Sequence, residues 1–241
     1  MSTRATGRLL YHDPRSRAYA APMLGVRPTS WLHAMGPVLD QGQVNGCTGW
    51  SGADWLNSVK GRAARRRYNL TRVVKRRSDG YLDDSDGRRL YELATQADQF
   101  KWVYPPTDNG SSGLGVAKAL KSLGVIDAYL WTFDYAQMLA HAQRQPVLIG
   151  TTWTDAMSDP DAEGIIHIGT ERQVKAALDS GMGHEYTLRG VNWPRKLARI
   201  RNHWTADWGL KGEALIPLDE LERLVIDYQG DVMVPAIGAL S

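Results

Sequence analysis

Hydrophobic and polar positions divide the chain into three textures. Residues 1–40 show no period, and Pro14, Pro22, Pro28 and Pro37 are spread through them. Residues 1–36 therefore read as an extended N-terminal segment laid over a folded domain. From Cys47, small or apolar residues recur at Trp50, Ala53, Leu56, Val59 and Ala63, the spacing of one helical face. The loop before that stripe, Gln41-Gly42-Gln43-Val44-Asn45-Gly46, carries two glycines, so Cys47 is expected at or near a helix N-terminus. Further helices are predicted over 88–99, over 112–123 with Gly124 as the stop, and from a cap at Asp134 to a point before Pro146.

Beyond Pro146 the pattern shortens to strand-like runs at 147–152, 165–168, 184–191, 197–203, 213–216 and 232–237. Two helices interrupt them. One opens on the Thr170-Glu171-Arg172-Gln173 capping box and runs to about Asp179; the other covers 218–225. Helices lead and strands follow, which argues for an α+β fold with two lobes and against an alternating parallel sheet. The expected division is a domain over 37–241, helical to about residue 145 and β-rich from about 146.

Composition narrows the class. With 241 residues, 43% of them hydrophobic, the chain can bury a sizeable core, and 9 Trp and 10 Tyr exclude a disordered chain. The first twenty residues hold no apolar run of signal-peptide length, and no run is long enough to span a membrane. The expectation is a cytoplasmic protein with no membrane partner. The net charge of +3 is local: nine basic residues and no acidic one lie between Lys60 and Arg77. That run reads as a solvated helix face or loop, and a nucleic-acid partner is not expected. Cys47 is the one cysteine, which excludes an internal disulfide and a four-cysteine zinc site. No metal or other cofactor is expected.

A lone cysteine is most often a small buried hydrophobe. The helix N-terminus expected here changes its chemistry, because it favours thiolate over thiol. Gly46 and Gly49 flank Cys47 and leave room for a substrate backbone. A thiolate nucleophile needs a histidine held by a third group. His12 and His33 look exposed, His141 sits in a polar helix, and His167 has no evident orienter. His184 opens a strand, and Asn202 lies at the end of the next one; two neighbouring antiparallel strands bring them side by side. Trp204 then stands ready to cover that hydrogen bond.

At this point the sequence resembles the papain-like cysteine peptidases. Gln41-Gly42-Gln43-Val44-Asn45-Gly46-Cys47 is similar to the family's Gln-Gly-x-x-x-x-Cys loop, and Gly183-His184 to its base strand. The run Asn202-His203-Trp204-Thr205-Ala206-Asp207-Trp208-Gly209-Leu210-Lys211-Gly212 is similar to the family's Asn-Ser-Trp-Gly-x-x-Trp-Gly-x-x-Gly. Asp108-Asn109-Gly110-Ser111-Ser112-Gly113, with the helix after it, resembles the substrate-cleft loop of prokaryotic members. The order holds from about Pro37 to Leu218.

The resemblance implies a papain-like two-lobe fold: an N-terminal helical lobe and a C-terminal antiparallel β lobe with a catalytic cleft between them. It also implies roles. Cys47 is the nucleophile, paired with His184 as thiolate and imidazolium. Asn202 orients His184, and the Gln41 side chain with the Cys47 N–H forms the oxyanion hole. Trp204 shields the His184–Asn202 bond, and Gly110, Ser111, Ser112 and Gly113 border the cleft and bind substrate backbone. The implied partner is a polypeptide substrate.

There are departures from the pattern. Val44 stands where the family has a cysteine, Thr48 where it has a tryptophan, His203 where it has a serine, and Thr205 where it has a glycine. The insert from Thr170 to Met182 is longer than usual, and no pro-segment is expected with 46 residues before Cys47. A looser similarity of Asp13-Pro14-Arg15-Ser16-Arg17, 36–42 and 188–192 to short peptidases of actinobacteria and their phages suggests a bacterial or phage source, with virion proteins as further partners. The alternatives are a catalytically inactive papain-like virion or structural component and a thiol amidase or acyl-transferase.

Overall fold

The computed structural model describes residues 4–67, 79–181 and 183–238. Residues 68–77 of the basic run and Met182 lie outside the described residues.

The helix that begins at Cys47, α1 (Cys47–Asn57), is buried along its whole length. Its small residues allow this. A Cβ on Gly49 would lie 2.4 Å from both the Gly87 oxygen and the Tyr91 nitrogen of the next long helix, so Gly49 serves close helix packing. Gly46 likewise faces the rings of Trp50 and Tyr91. Neither glycine makes room for a substrate backbone, contrary to the expectation above. The stripe expected from Cys47 to Ala63 is two helices. At Ser58 the backbone turns extended, with ψ 164°. The Ser58 hydroxyl donates to the Trp55 carbonyl (2.6 Å) and accepts from the Gly61 N–H (3.1 Å), ending α1 and starting α2 (Val59–Arg67). Val59, read as part of the stripe, is 68% exposed.

The long helix α3 (Asp84–Ala97) starts before the expected 88 because Asp83 and Asp86 form a capping box. α4 (Gly113–Ser122) is capped by Ser112, and Gly124 takes φ +69° just beyond it. α5 (Tyr135–Ala142) is capped by Asp134, whose side chain accepts from the Gln137 N–H. α6 (Glu171–Ser180) opens on the Thr170–Gln173 capping box, and α7 (Leu218–Ile226) carries a buried apolar face.

Among the described residues seven strands form one sheet: β1 (Trp31–Leu32), β2 (Ala128–Thr132), β3 (Val147–Thr152), β4 (Gly183–Asn192), β5 (Leu197–Arg201), β6 (Glu213–Pro217) and β7 (Asp231–Ala236). The order is β2-β7-β3-β4-β5-β6 with β1 beside β4, and every pairing between these strands is antiparallel. β2 falls in the part of the chain read as helical, and residues 165–168 make only a bridge from Ile165 to Leu215. One apolar cluster joins the sheet to α5, α6 and α7 through residues such as Ile149, Val174, Ile200 and Leu224. A second joins α1, α3 and α4 through Trp55, Leu90 and Leu120, and reaches the sheet at Leu148 and Met233. Among the described residues no helix is long and apolar enough to cross a membrane.

The central helix carries one buried acid with a measurable consequence. Asp54 is 1% exposed, and one of its oxygens has no hydrogen-bond partner. Burial pushes its pKa up to about 7, whereas an unfolded Asp titrates near ~4. A raised acid pKa means its stability contribution is full below pH ~4 and is lost as the pH rises through about 7. Asp54→Asn is therefore expected to change stability little at pH ~4 and to add on the order of 2 kcal/mol at pH ~8. Urea unfolding at the two pH values checks this; an equal effect at both contradicts it.

Candidate active site

Four segments meet at Cys47: the loop ahead of α1, the start of β4, the turn after β5, and the chain's own residues 4–9. Asp40 bridges Trp204, and the Gln41 N–H donates to the His203 carbonyl at 3.0 Å, which seats the loop against the turn after β5. On the other side Asp108 accepts from the Asn45 N–H (3.0 Å) and from the Tyr91 hydroxyl (2.9 Å), and that hydroxyl in turn accepts from the Gly110 N–H (2.9 Å). Asp98 accepts from the Ser111 and Ser112 hydroxyls, each at 2.6 Å, and from the Ser112 N–H. Residues 108–113 are thus tied to the loop before α1 and to α3.

His184 lies in β4, and its Nε2 is 2.8 Å from Asn202 Oδ1. The same oxygen accepts from the His203 backbone N–H at 2.8 Å. That second donor identifies the atom as the amide oxygen, so Nε2 carries the proton and Nδ1 is left with a free lone pair. Nδ1 is buried and has no hydrogen-bond partner among the described residues. The ring is enclosed by Trp204 at 4.7 Å between centroids, Trp153 at 4.8 Å and His203 at 5.2 Å. Cys47 Sγ accepts from the N–H of Glu185, the residue after His184, at 3.4 Å.

Gln41 has its amide fixed at both ends. Its Nε2 donates to the Val44 carbonyl (2.8 Å) and the Thr6 carbonyl (3.3 Å); its Oε1 accepts from His203 Nδ1 at 2.6 Å. His203 Nε2 in turn lies 3.1 Å from the Ser51 hydroxyl on α1. His203 entered the sequence analysis only as a departure from a serine. Its ties to both Gln41 and α1 link three elements that meet only in the folded chain.

Residues 4–9 run through this cleft. Gly7 and Arg8 N–H groups both donate to the Gly183 carbonyl, Ser111 N–H donates to Gly7, and Leu9 N–H donates to Ser111. Trp204 Nε1 donates to the Ala5 carbonyl at 2.9 Å. Gly110, at φ +88°, leaves the space that the Gly7 carbonyl fills: a Cβ there would lie 2.1 Å from it. Cys47, His184 and Asn202 are all 0% exposed as a result. The other histidines sit elsewhere. His33 is half-buried and bonds the Ala142 carbonyl, His141 is buried against the Pro22 carbonyl, and exposed His167 has a carboxylate partner in Glu220. Each has more partnership than its sequence context suggested.

Burial acts on both Cys47 and His184 in the covered site. Burial pushes the Cys47 thiol well up, and the nearby Glu185 carboxyl adds to the shift. Burial also pushes His184 down to about 4, against the opposing Asn202 hydrogen bond. A helix N-terminus favours a thiolate by at most ~2 kcal/mol, less than full desolvation costs. With residues 4–9 in place, burial works against the thiolate and imidazolium that the sequence resemblance implies.

The sequence matches no family model and no curated protein. Solved structures do match. Xylellain, a cysteine protease from Xylella fastidiosa, aligns at TM-score 0.60 and 17% identity, covering 99% of each chain. Digestive procathepsin L2 proteinase from Tenebrio molitor aligns at 0.54 and 16%, covering 97% of this chain and 78% of its own. The bromelain protease from Ananas comosus, in complex with the E64 inhibitor, aligns at 0.53 and 12%, covering 85% and 95%. At these identities the likeness carries the architecture: the chain has the α+β fold of the papain-like cysteine proteases.

Proposed function

We propose that the protein is a cysteine peptidase, with Cys47 as nucleophile, and that the form described above is its covered state. The observation that supports this reading is the lone pair of His184 Nδ1, buried and without a partner among the described residues, on the residue just before the one whose N–H holds the Cys47 thiol. An orphaned buried acceptor is costly to fold and calls for an explanation, and proton transfer supplies one.

The steps follow from the atoms. Nδ1 takes the thiol proton as Sγ attacks the carbonyl carbon of the scissile bond. Asn202 Oδ1 holds the Nε2 proton and steadies the imidazolium. Gln41 Nε2, which the Thr6 carbonyl engages in the covered state, donates to the oxyanion, as does the Cys47 N–H. His184 then returns its proton to the leaving amine, and water releases the acyl group from Sγ by the reverse sequence.

The test is mass spectrometry of a diverse peptide mixture incubated with the full chain carrying Gly7→Val, a substitution expected to open the cleft, alongside E64. Defined cleavage products and an E64 adduct on Cys47 are expected. Absence of both overturns the reading. His203→Ala is expected to lower kcat about 10-fold with little change in KM, because Gln41 loses the group that aims its amide. A change in KM alone contradicts that role.

A further inference from the structure

Arg8 enters a pocket built for its side chain. It is 3% exposed, and its Nη2 donates to Asp231 Oδ2 at 2.5 Å and to the Gln229 carbonyl at 3.3 Å. A second carboxyl, Glu185, is 1% exposed beside it. The two acids face one wall: a Cβ on Gly113 would lie 3.0 Å from Asp231 Oδ1 and 3.2 Å from Glu185 Oε2. The other walls are glycines too. A Cβ on Gly150 would lie 2.7 Å from Arg8 Nε, and one on Gly183 would lie 3.1 Å from Arg8 Cδ. Any side chain at these positions would take the space of the guanidinium or its stem. Among the described residues Arg8 Nε and Glu185 Oε2 have no partner, so the pocket offers an acceptor that Arg8 leaves unused.

We propose that this pocket is a guanidinium-selecting subsite of the cleft, and that Asp231 and Glu185 make it prefer arginine in the polypeptide substrate. The inference rests on the peptidase reading. When residues 4–9 leave, Asp231 loses its cation, and a buried anion without a partner is costly. A substrate arginine replaces Arg8 atom for atom, whereas an apolar side chain leaves the acids unpaired. A lysine ammonium can replace the one nitrogen, Nη2, that makes both contacts, but it lacks the further donors that a planar guanidinium turns toward the second acid. The pocket is also close to the reacting centre. The Thr6 carbonyl, on Gln41 Nε2, lies two residues along the chain from Arg8, so the selected arginine falls within about two residues of the scissile bond. Burial and Asp231 push the Glu185 carboxyl well above the usual range, which lets the two acids share the pocket around one guanidinium.

The experiment has two arms, both in the full chain carrying Gly7→Val, with Arg8→Ala as a second way to free the pocket. In the first arm Cys47→Ala is added, and calorimetry measures binding of capped peptides that differ only in arginine, lysine or norleucine at one position. Arginine is expected to bind about 30-fold more tightly than norleucine, with lysine between. Asp231→Asn, and separately Glu185→Gln, are expected to bring that ratio below about 5-fold. Equal binding of arginine and norleucine, or a ratio that neither substitution moves, overturns the proposal. In the second arm Cys47 is intact and kcat/KM is read for the same peptides, with the same ranking expected. Arginine-selective binding with no turnover of any peptide sinks the peptidase reading and leaves the guanidinium pocket standing. Turnover without an arginine preference does the reverse.

Discussion

Cys47→Ala is expected to lower peptide hydrolysis by about 10⁴-fold or more in a chain whose cleft has been opened. The substitution removes the only sulfur that can form the acyl intermediate, since the chain has one cysteine. The residue is fully buried and small, so alanine leaves a cavity about the size of one sulfur atom and the melting temperature moves little. Residual activity comes from Gln41 and the first amide of α1, which still polarise a carbonyl toward water. His184→Ala is expected to cost as much, and the double variant little more, because the thiol and the imidazole act as one unit. A Cys47→Ala protein that keeps a tenth of the parent activity would sink the mechanism. The measurement is the initial rate of product formation, with metal chelator present to remove contaminating metallopeptidases.

How much of this was legible beforehand depends on the distance over which each feature is encoded. Asp134 and Thr170 announced their helices because a cap and the amides it serves are at most three residues apart. Gln41 and Cys47 were grouped for a similar reason, since they share one short run, whereas His184 and Asn202 were grouped because successive antiparallel strands bring them side by side. α2 was missed because the break at Ser58 interrupts no hydrophobic spacing; it is made by one hydroxyl bonding in both directions. β2 was missed because five residues in a helix-rich stretch carry little period, and their identity as a strand comes from pairing with β7.

The covered cleft was least legible of all. Arg8 meets Asp231 across 223 residues of chain, and the N-terminal segment has no regular pattern to advertise a docking site. Its nearest sequence clues were glycines at 7, 110 and 183, each of which looks like an ordinary turn residue until another backbone is seen against it. The same long-range contact buries the thiol and so opposes the thiolate expected from a helix N-terminus. The helix end is where the sequence put it, but the solvent is not, and desolvation outweighs the dipole.

Gly7→Val is expected to raise the rate of Cys47 alkylation at pH ~7 by about 100-fold or more, with peptide hydrolysis rising in parallel. Gly7 sits at φ +118°, a conformation that side chains avoid, and a Cβ there would lie 2.1 Å from the Asn45 carbonyl oxygen. Asn45 cannot yield easily: its N–H and side-chain amide are both bonded to Asp108, which Tyr91 also holds. The segment yields instead, since it is held by hydrogen bonds and the Arg8–Asp231 ion pair, with no packed apolar core of its own. Once water reaches the site, the shifts imposed by burial relax: the Cys47 pKa falls and the His184 pKa rises. More thiolate is then present at any given pH, and labelling persists further into acid than in the covered chain. The pH profile of iodoacetamide incorporation, compared between the two proteins, reads both effects. Identical rates and profiles would mean that residues 4–9 do not control the thiol. A faster rate with an unshifted profile would mean that access changed and the electrostatics did not, so that the helix N-terminus and His184 contribute less to the open site than desolvation takes from the closed one.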